Sequence, residues 1–368
     1  MRIAIDGRYL SMAGAAERYF GAGMIGPFIQ QAPADHHFIL IYDEDNAAPP
    51  APLPNMTPVA VKMKAGSPLL QAFWYDYRLP SLLGRYRADH FIGAAGSISL
   101  RSGIKQSLWL FDTAAGYKDG ALIARTAGPL YRRRLRAMLN KASNVYTNFF
   151  GEVEALWKNA PPLQQHLYTT GPVLLHPYPP MTDGEITQTK HAFTDGKEYF
   201  LCADGWNDVQ SATELLLHFS AFKKRMRSGM KLVLMGAGPE GKEWPEKLST
   251  YRYRNDVVVV PSPAKELACK LLAGAYALVQ LPRATDVNRV MQALHAGVPV
   301  LGPGTQVLGE TAGDALLTCS DAPGENLGQR LIQLYKDEAM RKEMMIKGRQ
   351  KSLDHDPEAV AKKLWQGI

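Results

Sequence analysis

The sequence predicts an α/β protein made of two Rossmann-like, doubly wound domains in tandem. The chain has 368 residues, which is long for one domain and sufficient for two. Short apolar runs alternate with amphipathic stretches from end to end, as in parallel sheets that are covered by helices on both faces. The alternation stops at residues 177–180, where three prolines accompany one tyrosine, and then it starts again.

The first series of elements occupies residues 1–176 and predicts an N-terminal Rossmann-like domain. Its predicted helices are the amphipathic stretches at 18–31, 71–83 and 128–142. Its predicted strands are short apolar runs at 3–5, 38–42, 59–62, 90–92, 107–111, 144–147 and 173–175. Because the opening run is short and is broken by Asp6, it predicts a buried strand rather than a signal peptide.

The second series occupies residues 177–352 and predicts a C-terminal Rossmann-like domain that begins with a polar connecting stretch at 182–197. Its predicted strands lie at 199–202, 231–235, 257–260, 277–280, 300–301 and 315–318. Its predicted helices lie at 212–225, 264–273, 287–296, 325–337 and 338–351. A last helix, at about 357–365, belongs to a C-terminal segment, 353–368, which we expect to pack back towards the N-terminal domain.

The predicted sheets also predict where a ligand binds. In open α/β sheets, ligands lie outside the carboxyl ends of the strands. Two such domains that face each other would form an interdomain cleft between two of these edges. We therefore expect the functional site in that cleft.

Composition and charge limit the kind of partner. Hydrophobic residues make up 46% and charged residues 21% of the chain, as in ordinary globular proteins. The net charge of +7 favours anionic partners such as nucleotides, phosphates or lipid head groups. The basic charge alone is a weak sign of nucleic-acid binding, and no nucleic-acid module is present, so we expect no nucleic-acid partner. No run of 18 apolar residues is present, which predicts a protein without a membrane span.

Motifs of nucleophilic or metal-dependent catalysis are absent from the sequence. There is no Ser-x-Gly elbow, no His-x-x-x-His pair and no Cys-x-x-Cys motif. The three cysteines are far apart and lie in apolar runs, which predicts buried free thiols in a reducing compartment such as the cytoplasm. We therefore expect a site without a metal or a resident cofactor.

Residues 290–303 form the most informative segment, with the sequence VMQALHAGVPVLGP. The pattern predicts a helix, a glycine stop and a short buried strand. It resembles the signature helix of the group 1 (GT4-like) glycosyltransferases, which have the GT-B architecture. Further resemblances follow in the order of that family, at residues 1–8, 74–80, 108–112, 141–148, 199–205 and 231–236.

The resemblance implies an activity and assigns one substrate to each domain. Members of this family transfer a sugar from a nucleotide-sugar, such as a UDP- or GDP-sugar, to a glycan or lipid-linked acceptor. Transfer usually retains the anomeric configuration and usually needs no metal. The donor would lie on the C-terminal domain and the acceptor on the N-terminal domain.

The resemblance also assigns candidate residues to this site. The candidate catalytic residues are Asp112 and Gln292, where the family has an aspartate and a glutamate. Gly14 lies near the first glycine turn, where family members bring backbone amides close to a phosphate. The candidate donor-binding residues are Gly205, Trp206, Asn207, Gly236, Asn288, Arg289 and Glu310.

Several site positions depart from the family pattern. Phe111 takes the place of a histidine, Ala284 takes the place of a second glutamate, and Trp206 stands where an arginine clamps the diphosphate. Each lost cation costs on the order of 1.5–3 kcal/mol of binding free energy. The family also has a lysine shortly after that arginine, and it is missing here too, so the two losses weaken donor binding by roughly two to four decades. An alternative therefore stays open, in which the chain is a catalytically silent pseudoenzyme that acts as a binding or partner subunit.

A cluster of arginines suggests a further partner. The residues Arg132, Arg133, Arg134 and Arg136 lie on one predicted helix. They either face an anionic membrane, as acceptor domains of this class often do, or form a solvated helix face. The membrane alternative would place the protein peripherally on the inner face of a membrane, and a partner glycosyltransferase chain that completes the site is a further possibility.

Overall fold

The computed structural model describes the chain as two parallel-sheet α/β units, which confirms the predicted fold class. It describes residues 1–7, 20–43, 55–62, 68–94, 96–110, 129–148, 167–174, 177–203, 205–282, 286–320, 322 and 324–368. Unit 1 comprises Met1–Leu175 together with Asp356–Ile368, and unit 2 comprises His176–His355. The assignment of the acceptor to one unit and of the donor to the other stays a prediction.

Unit 1 contains a parallel sheet of seven strands in the order β3-β2-β1-β4-β5-β6-β7. Its strands are Arg2–Asp6 (β1), His37–Asp43 (β2), Met56–Val61 (β3), His90–Gly93 (β4), Lys105–Leu110 (β5), Asn144–Thr147 (β6) and Leu167–Thr169 (β7). The predicted strand at 173–175 is wrong: β7 lies earlier, and Val173 and Leu174 are buried without pairing in the sheet.

Four described helices of unit 1 precede unit 2 in the chain: Phe20–Gln30 (α1), Pro68–Phe73 (α2), Leu79–Arg85 (α3) and Pro129–Lys141 (α4). A π-helical turn at Trp74–Arg78 joins α2 to α3 and breaks the single helix predicted at 71–83. This turn carries two buried aromatic residues, Trp74 and Tyr75. The Tyr75 hydroxyl donates a hydrogen bond of 2.6 Å to the buried carboxylate of Asp6 at the end of β1.

Unit 2 contains a parallel sheet of six strands in the order β10-β9-β8-β11-β12-β13, which is the Rossmann order. All six were predicted: β8, β9 and β10 have the predicted bounds, and the ends of the other three differ by one or two residues. They are Tyr199–Cys202 (β8), Lys231–Met235 (β9), Val257–Val260 (β10), Ala277–Val279 (β11), Val300–Pro303 (β12) and Leu316–Cys319 (β13).

Five of the eight helices of unit 2 were predicted, and three were missed: Asp183–Thr194, Glu243–Thr250 and Gln306–Ala312. The polar stretch at 182–197 contains a helix because Thr182 and Glu185 form a capping box that satisfies the first N–H groups. The helices are Asp183–Thr194 (α5), Val209–Met226 (α6), Glu243–Thr250 (α7), Lys265–Ala273 (α8), Val287–Ala296 (α9), Gln306–Ala312 (α10), Leu327–Lys336 (α11) and Glu338–Leu353 (α12).

The C-terminal helix Pro357–Trp365 (α13) packs against α1 in unit 1. Its Trp365 ring stacks on Phe28 with centroids 4.4 Å apart and planes 3° from parallel. The Trp365 indole N–H also donates a 2.9 Å hydrogen bond to the Phe28 carbonyl. Trp365 and Phe28 are 337 residues apart in the sequence, so the last segment of the chain completes the core of unit 1.

No helix among the described residues is long and apolar enough to cross a membrane. Within the same ranges, no group of three or more His, Cys, Asp and Glu side chains is placed to hold a metal ion.

Candidate functional site

Two of the candidate donor residues, Gly205 and Gly236, lie in turns that follow strands at the carboxyl edge of the unit 2 sheet. Gly205 follows β8 with a φ of 84°, and Gly236 follows β9 with a φ of 99°. A side chain at Gly236 would place its Cβ 3.2 Å from the Ala203 carbonyl oxygen. Both turns therefore need glycine for their backbone conformation, and the Gly236 turn also needs it for the close approach of its neighbour.

The start of α6 is capped by a carboxylate. Asp208 accepts a 2.9 Å hydrogen bond from the Ser211 backbone N–H and a 2.6 Å bond from the Ser211 hydroxyl. A helix N-terminus usually attracts a phosphate through such N–H groups and through its dipole. Because Asp208 already supplies the negative charge there, a diphosphate at this turn would meet like charge. The neighbouring Asn207 is exposed.

Trp206 lies in the core of unit 2. Its side chain is 1% exposed, and its indole N–H donates a 2.9 Å hydrogen bond to the Met235 carbonyl. The ring packs against Trp244 at a centroid distance of 5.9 Å. A Cβ added at Gly238 would lie 2.7 Å from the Trp206 Cη2 atom, so the glycine makes room for the ring. In this position the indole stabilises the fold and presents no face to a ligand.

The first turn of α9 holds the guanidinium group of the candidate site. Asp286 caps this helix by accepting a 3.1 Å hydrogen bond from the Arg289 backbone N–H. The same carboxylate lies 3.9 Å from the Arg289 Nε atom. The Arg289 Nη1 group donates a 3.4 Å hydrogen bond to the hydroxyl of Tyr178, and the side chain is 19% exposed. The neighbouring Asn288 is exposed in the same turn.

Gln292 lies one turn further along α9 and contacts the same tyrosine. Its side chain is 2% exposed, and its Oε1 atom accepts a 2.7 Å hydrogen bond from the Tyr178 backbone N–H. Burial raises the pKa of the Tyr178 phenol, and the Arg289 charge opposes that rise only in part. Gln292 and Arg289 therefore fix a neutral tyrosine by its backbone and its hydroxyl. Sequence analysis missed Tyr178, whose only signal is its position among prolines.

The remaining candidates fall into two groups. Glu310 lies on α10, and its Oε1 atom accepts a 2.8 Å hydrogen bond from Gln306. Asp112 and Gly14 lie outside the described residues, as do Phe111 and Ala284. The structure thus brings Arg289 and Gln292 together around Tyr178, and it places Trp206 in the core. The catalytic and donor-binding roles themselves stay predictions.

No protein-family model matches the sequence, and no curated protein matches it either. Solved structures do match the fold over almost the whole chain. A glycosyltransferase from Rickettsia africae ESF-5 has a TM-score of 0.60 at 9% identity, covering 99% of this chain and 97% of its own. Anabaena HepE in complex with UDP-glucose has a TM-score of 0.57 at 12% identity, covering 100% and 98%.

The same fold also matches a candidate UDP-N-acetylglucosamine 2-epimerase from Listeria monocytogenes. Its TM-score is 0.56 at 12% identity, covering 99% of this chain and 94% of its own. Because one fold hosts different reactions, these likenesses establish the architecture and leave the chemistry to the site. With its two parallel sheets and these full-length matches, the chain has the GT-B fold.

Proposed function

We propose that the protein transfers a sugar from a UDP- or GDP-sugar bound on unit 2 to a glycan or lipid-linked acceptor bound on unit 1. The sequence resemblance supports retention of configuration and transfer without a metal. The UDP-glucose complex of a protein with the same fold supports the choice of donor class. The likeness in fold supports sugar transfer without fixing the acceptor.

The observation that carries this proposal is the placement of Arg289. Its guanidinium lies in the first turn of α9, at the carboxyl edge of the sheet, and Tyr178 and Asp286 hold it there. A guanidinium group offers five N–H donors in a geometry that matches phosphate oxygens. A nucleoside diphosphate gains negative charge as its bond to the sugar breaks, so a preorganised cation at this edge would stabilise the transition state.

The other candidates take supporting roles in this proposal. Gln292 is a positioning residue, because its oxygen already holds the Tyr178 backbone and Tyr178 in turn holds Arg289. Asn288 is exposed beside Arg289 and would bind the donor directly. Asp112 is proposed to contact the reacting sugar.

A second candidate function is a binding or partner subunit without catalysis. Two observations favour it. The position at which family members carry a phosphate-binding arginine is occupied by the buried Trp206, and Asp208 places a carboxylate at the start of α6. Both features weaken donor binding, so the two functions differ in the affinity for nucleotide-sugars.

The affinity of the wild type for nucleotide-sugars separates the two functions, and the substitution Arg289→Ala tests the role of Arg289. We expect the wild type to bind at least one UDP- or GDP-sugar, and the variant to bind it about 10- to 100-fold more weakly, because a hydrogen-bonded charge is lost. Isothermal titration calorimetry with UDP, GDP and their glucose conjugates measures this difference. Arg341→Ala is the matched control, since Arg341 is 17% exposed and paired with Glu338 on α12.

Equal affinities of Arg289→Ala and the wild type would contradict the role of Arg289. A wild type that binds none of these nucleotides would favour the partner-subunit function instead. In either case, the Arg341→Ala control should bind as the wild type does.

We also propose a peripheral contact of unit 1 with a membrane, on the cytoplasmic face. Four exposed side chains at helical spacing lie on α2 and the π-helical turn. They are Leu69, Leu70, Phe73 and Tyr77, and we term them the apolar stripe. Their exposed fractions are 68, 57, 54 and 49%, respectively. Arg133 and Arg136 are exposed on α4, whereas the side chain of Arg132 lies outside the described ones. Exposed apolar side chains beside basic ones suit an anionic membrane surface.

An ion pair joins the two elements that carry this surface. Arg134 lies 2.6 Å from Asp76, which belongs to the π-helical turn. Burial alone would raise the pKa of Asp76, but hydrogen bonds from Arg134 and the Leu100 N–H lower it overall. Arg134 is therefore proposed to hold α4 beside the apolar stripe, while its neighbours Arg133 and Arg136 contact lipid head groups.

The double substitution Leu69→Ser and Phe73→Ser tests this contact. We expect binding to phosphatidylglycerol vesicles to fall at least about tenfold, because two apolar side chains no longer enter the interface. Sedimentation with vesicles measures it, and phosphatidylcholine vesicles should bind the wild type weakly. Ile346→Ser, at a position on α12 that is 70% exposed, is the control. Unchanged binding of the double variant would contradict the contact.

A further inference from the structure

A pocket of about 120 Å³ lies at the carboxyl ends of β11, β12 and β13 in unit 2. Helices α6 and α11 contribute its other walls through Glu214, His218 and Leu327. None of the described candidate donor residues, from Gly205 to Glu310, lines it. The pocket is therefore a feature separate from the candidate site around Tyr178.

The side chain of Gln280, which lines this pocket, is unusual. It follows β11 directly and is 2% exposed, yet neither its Nε2 nor its Oε1 atom has a hydrogen-bond partner among the described residues. The equally buried Gln106 in unit 1 shows the ordinary arrangement: its Oε1 accepts from the Ser99 N–H at 2.9 Å and its Nε2 donates to the Ser99 carbonyl at 2.8 Å.

An unpaired buried amide lowers the stability of the folded chain, so each such group in a protein needs an explanation. A leucine or methionine of similar size would fill the same space without that cost. A partner that enters the pocket would explain why a glutamine stands at this position. That partner must both accept a hydrogen bond from Nε2 and donate one to Oε1.

The rest of the lining narrows the chemistry of the partner. Apolar walls come from Leu281, Pro303 and Leu327, and Glu214 supplies an exposed carboxylate. Neither lysine nor arginine is present among the described lining residues, which disfavours phosphates and other anions. Burial raises the pKa of Cys319 in the same lining to about 11, so its thiol is neutral at pH 7.

We propose that this pocket binds a neutral sugar residue, with the Gln280 amide hydrogen-bonded to its hydroxyl groups. A sugar hydroxyl is both a donor and an acceptor, which matches the two unpaired atoms of the amide. The C–H face of a pyranose ring suits the leucine and proline walls, and the Glu214 carboxylate accepts from a further hydroxyl at the rim. Sugar binding here is independent of donor binding at Arg289 and of catalysis.

The full-length protein is titrated with glucose, galactose, mannose and N-acetylglucosamine, and binding is followed by saturation-transfer NMR. We expect millimolar binding of at least one of these sugars, and weaker binding of the anionic comparators glucuronate and glucose 6-phosphate. Gln280→Leu should weaken binding at least about tenfold. It should also raise the melting temperature by about 2–4 °C, because the unpaired amide is removed.

Three further variants make the result specific. Glu214→Ala, at an exposed position, should weaken sugar binding with little change in stability. Gln106→Leu removes a buried glutamine whose bonds are satisfied, so it should lower the melting temperature and leave sugar binding unchanged. Arg289→Ala should also leave it unchanged, which separates this pocket from the donor site.

The proposal is overturned if no neutral sugar binds, which is the result expected when water alone fills the pocket. It is also overturned if Gln280→Leu binds sugars as the wild type does, or if the anionic sugars bind best. A joint loss of binding in Gln280→Leu and Arg289→Ala would assign the sugar to the donor site and reject the separate pocket.

Discussion

Replacing Trp206 with alanine is expected to lower the free energy of unfolding by about 3–5 kcal/mol, the range for large-to-small substitutions of buried aromatic residues. The indole is 1% exposed and packs against Trp244. Its removal leaves a cavity at the carboxyl edge of the sheet, and the Met235 carbonyl loses the indole N–H donor. Both losses destabilise the folded state, so the fall in the free energy of unfolding measures how much the packed ring stabilises the fold.

Urea denaturation of the full chain, followed by far-UV circular dichroism, measures this loss. Asn207→Ala is the matched control, because the neighbouring side chain is exposed and should change stability little. A ring that stacked on the donor base would behave differently: Trp206→Ala would then weaken nucleotide binding while leaving the unfolding curve in place. That outcome would return Trp206 to the donor site.

Strands could be predicted from the sequence more reliably than the connections between them. A strand that is buried on both faces is a continuous apolar run, and Tyr199–Cys202 and Lys231–Met235 have the predicted bounds. The helix α5 was missed because its sequence is polar, although Thr182 and Glu185 carry the spacing of a capping box. The π-helical turn at Trp74–Arg78 has no comparable local signal, since tertiary burial of its aromatic residues selects it.

The candidate residues could be named from the sequence, but their contacts could not. The family pattern points to Gln292, but its partner Tyr178 lies 114 residues away and carries no motif of its own. The pattern also points to position 206, where only the packed structure shows that the tryptophan fills the core. The unpaired amide of Gln280 could not be predicted from the sequence, because it is a property of the surrounding fold rather than of any local sequence.

Acidification from pH 6.5 to pH 4 is expected to destabilise unit 1 by about 3 kcal/mol through His90 alone. This residue on β4 is 2% exposed, and its Nε2 atom lies 2.8 Å from the Ser107 hydroxyl. Burial, with a smaller contribution from the Lys105 charge, lowers the pKa of His90 from 6.5 to about 4. Below pH 6.5 the unfolded chain therefore binds a proton at this residue that the folded chain does not.

The sign follows from this difference in proton binding. Stability is fully present above pH 6.5 and falls as the pH decreases, until the folded protein also binds the proton at about pH 4. Each pH unit between 6.5 and 4 lowers the free energy of unfolding by about 1.4 kcal/mol, which gives the expected loss of about 3 kcal/mol. The carboxyl group of Asp76, whose pKa is lowered, loses its own stabilising contribution only below its unfolded value of 3.8, outside this window.

Unfolding by urea at a series of pH values, compared between the wild type and His90→Gln, isolates this contribution. Glutamine has no titrating group and can still pair with Ser107, so the variant should lose less stability than the wild type between pH 6.5 and pH 4. Other titrating groups are common to both proteins and cancel in the difference. Parallel curves for the two proteins would show that His90 accepts a proton in the folded state near its ordinary pKa, which requires that water reaches the buried end of β4.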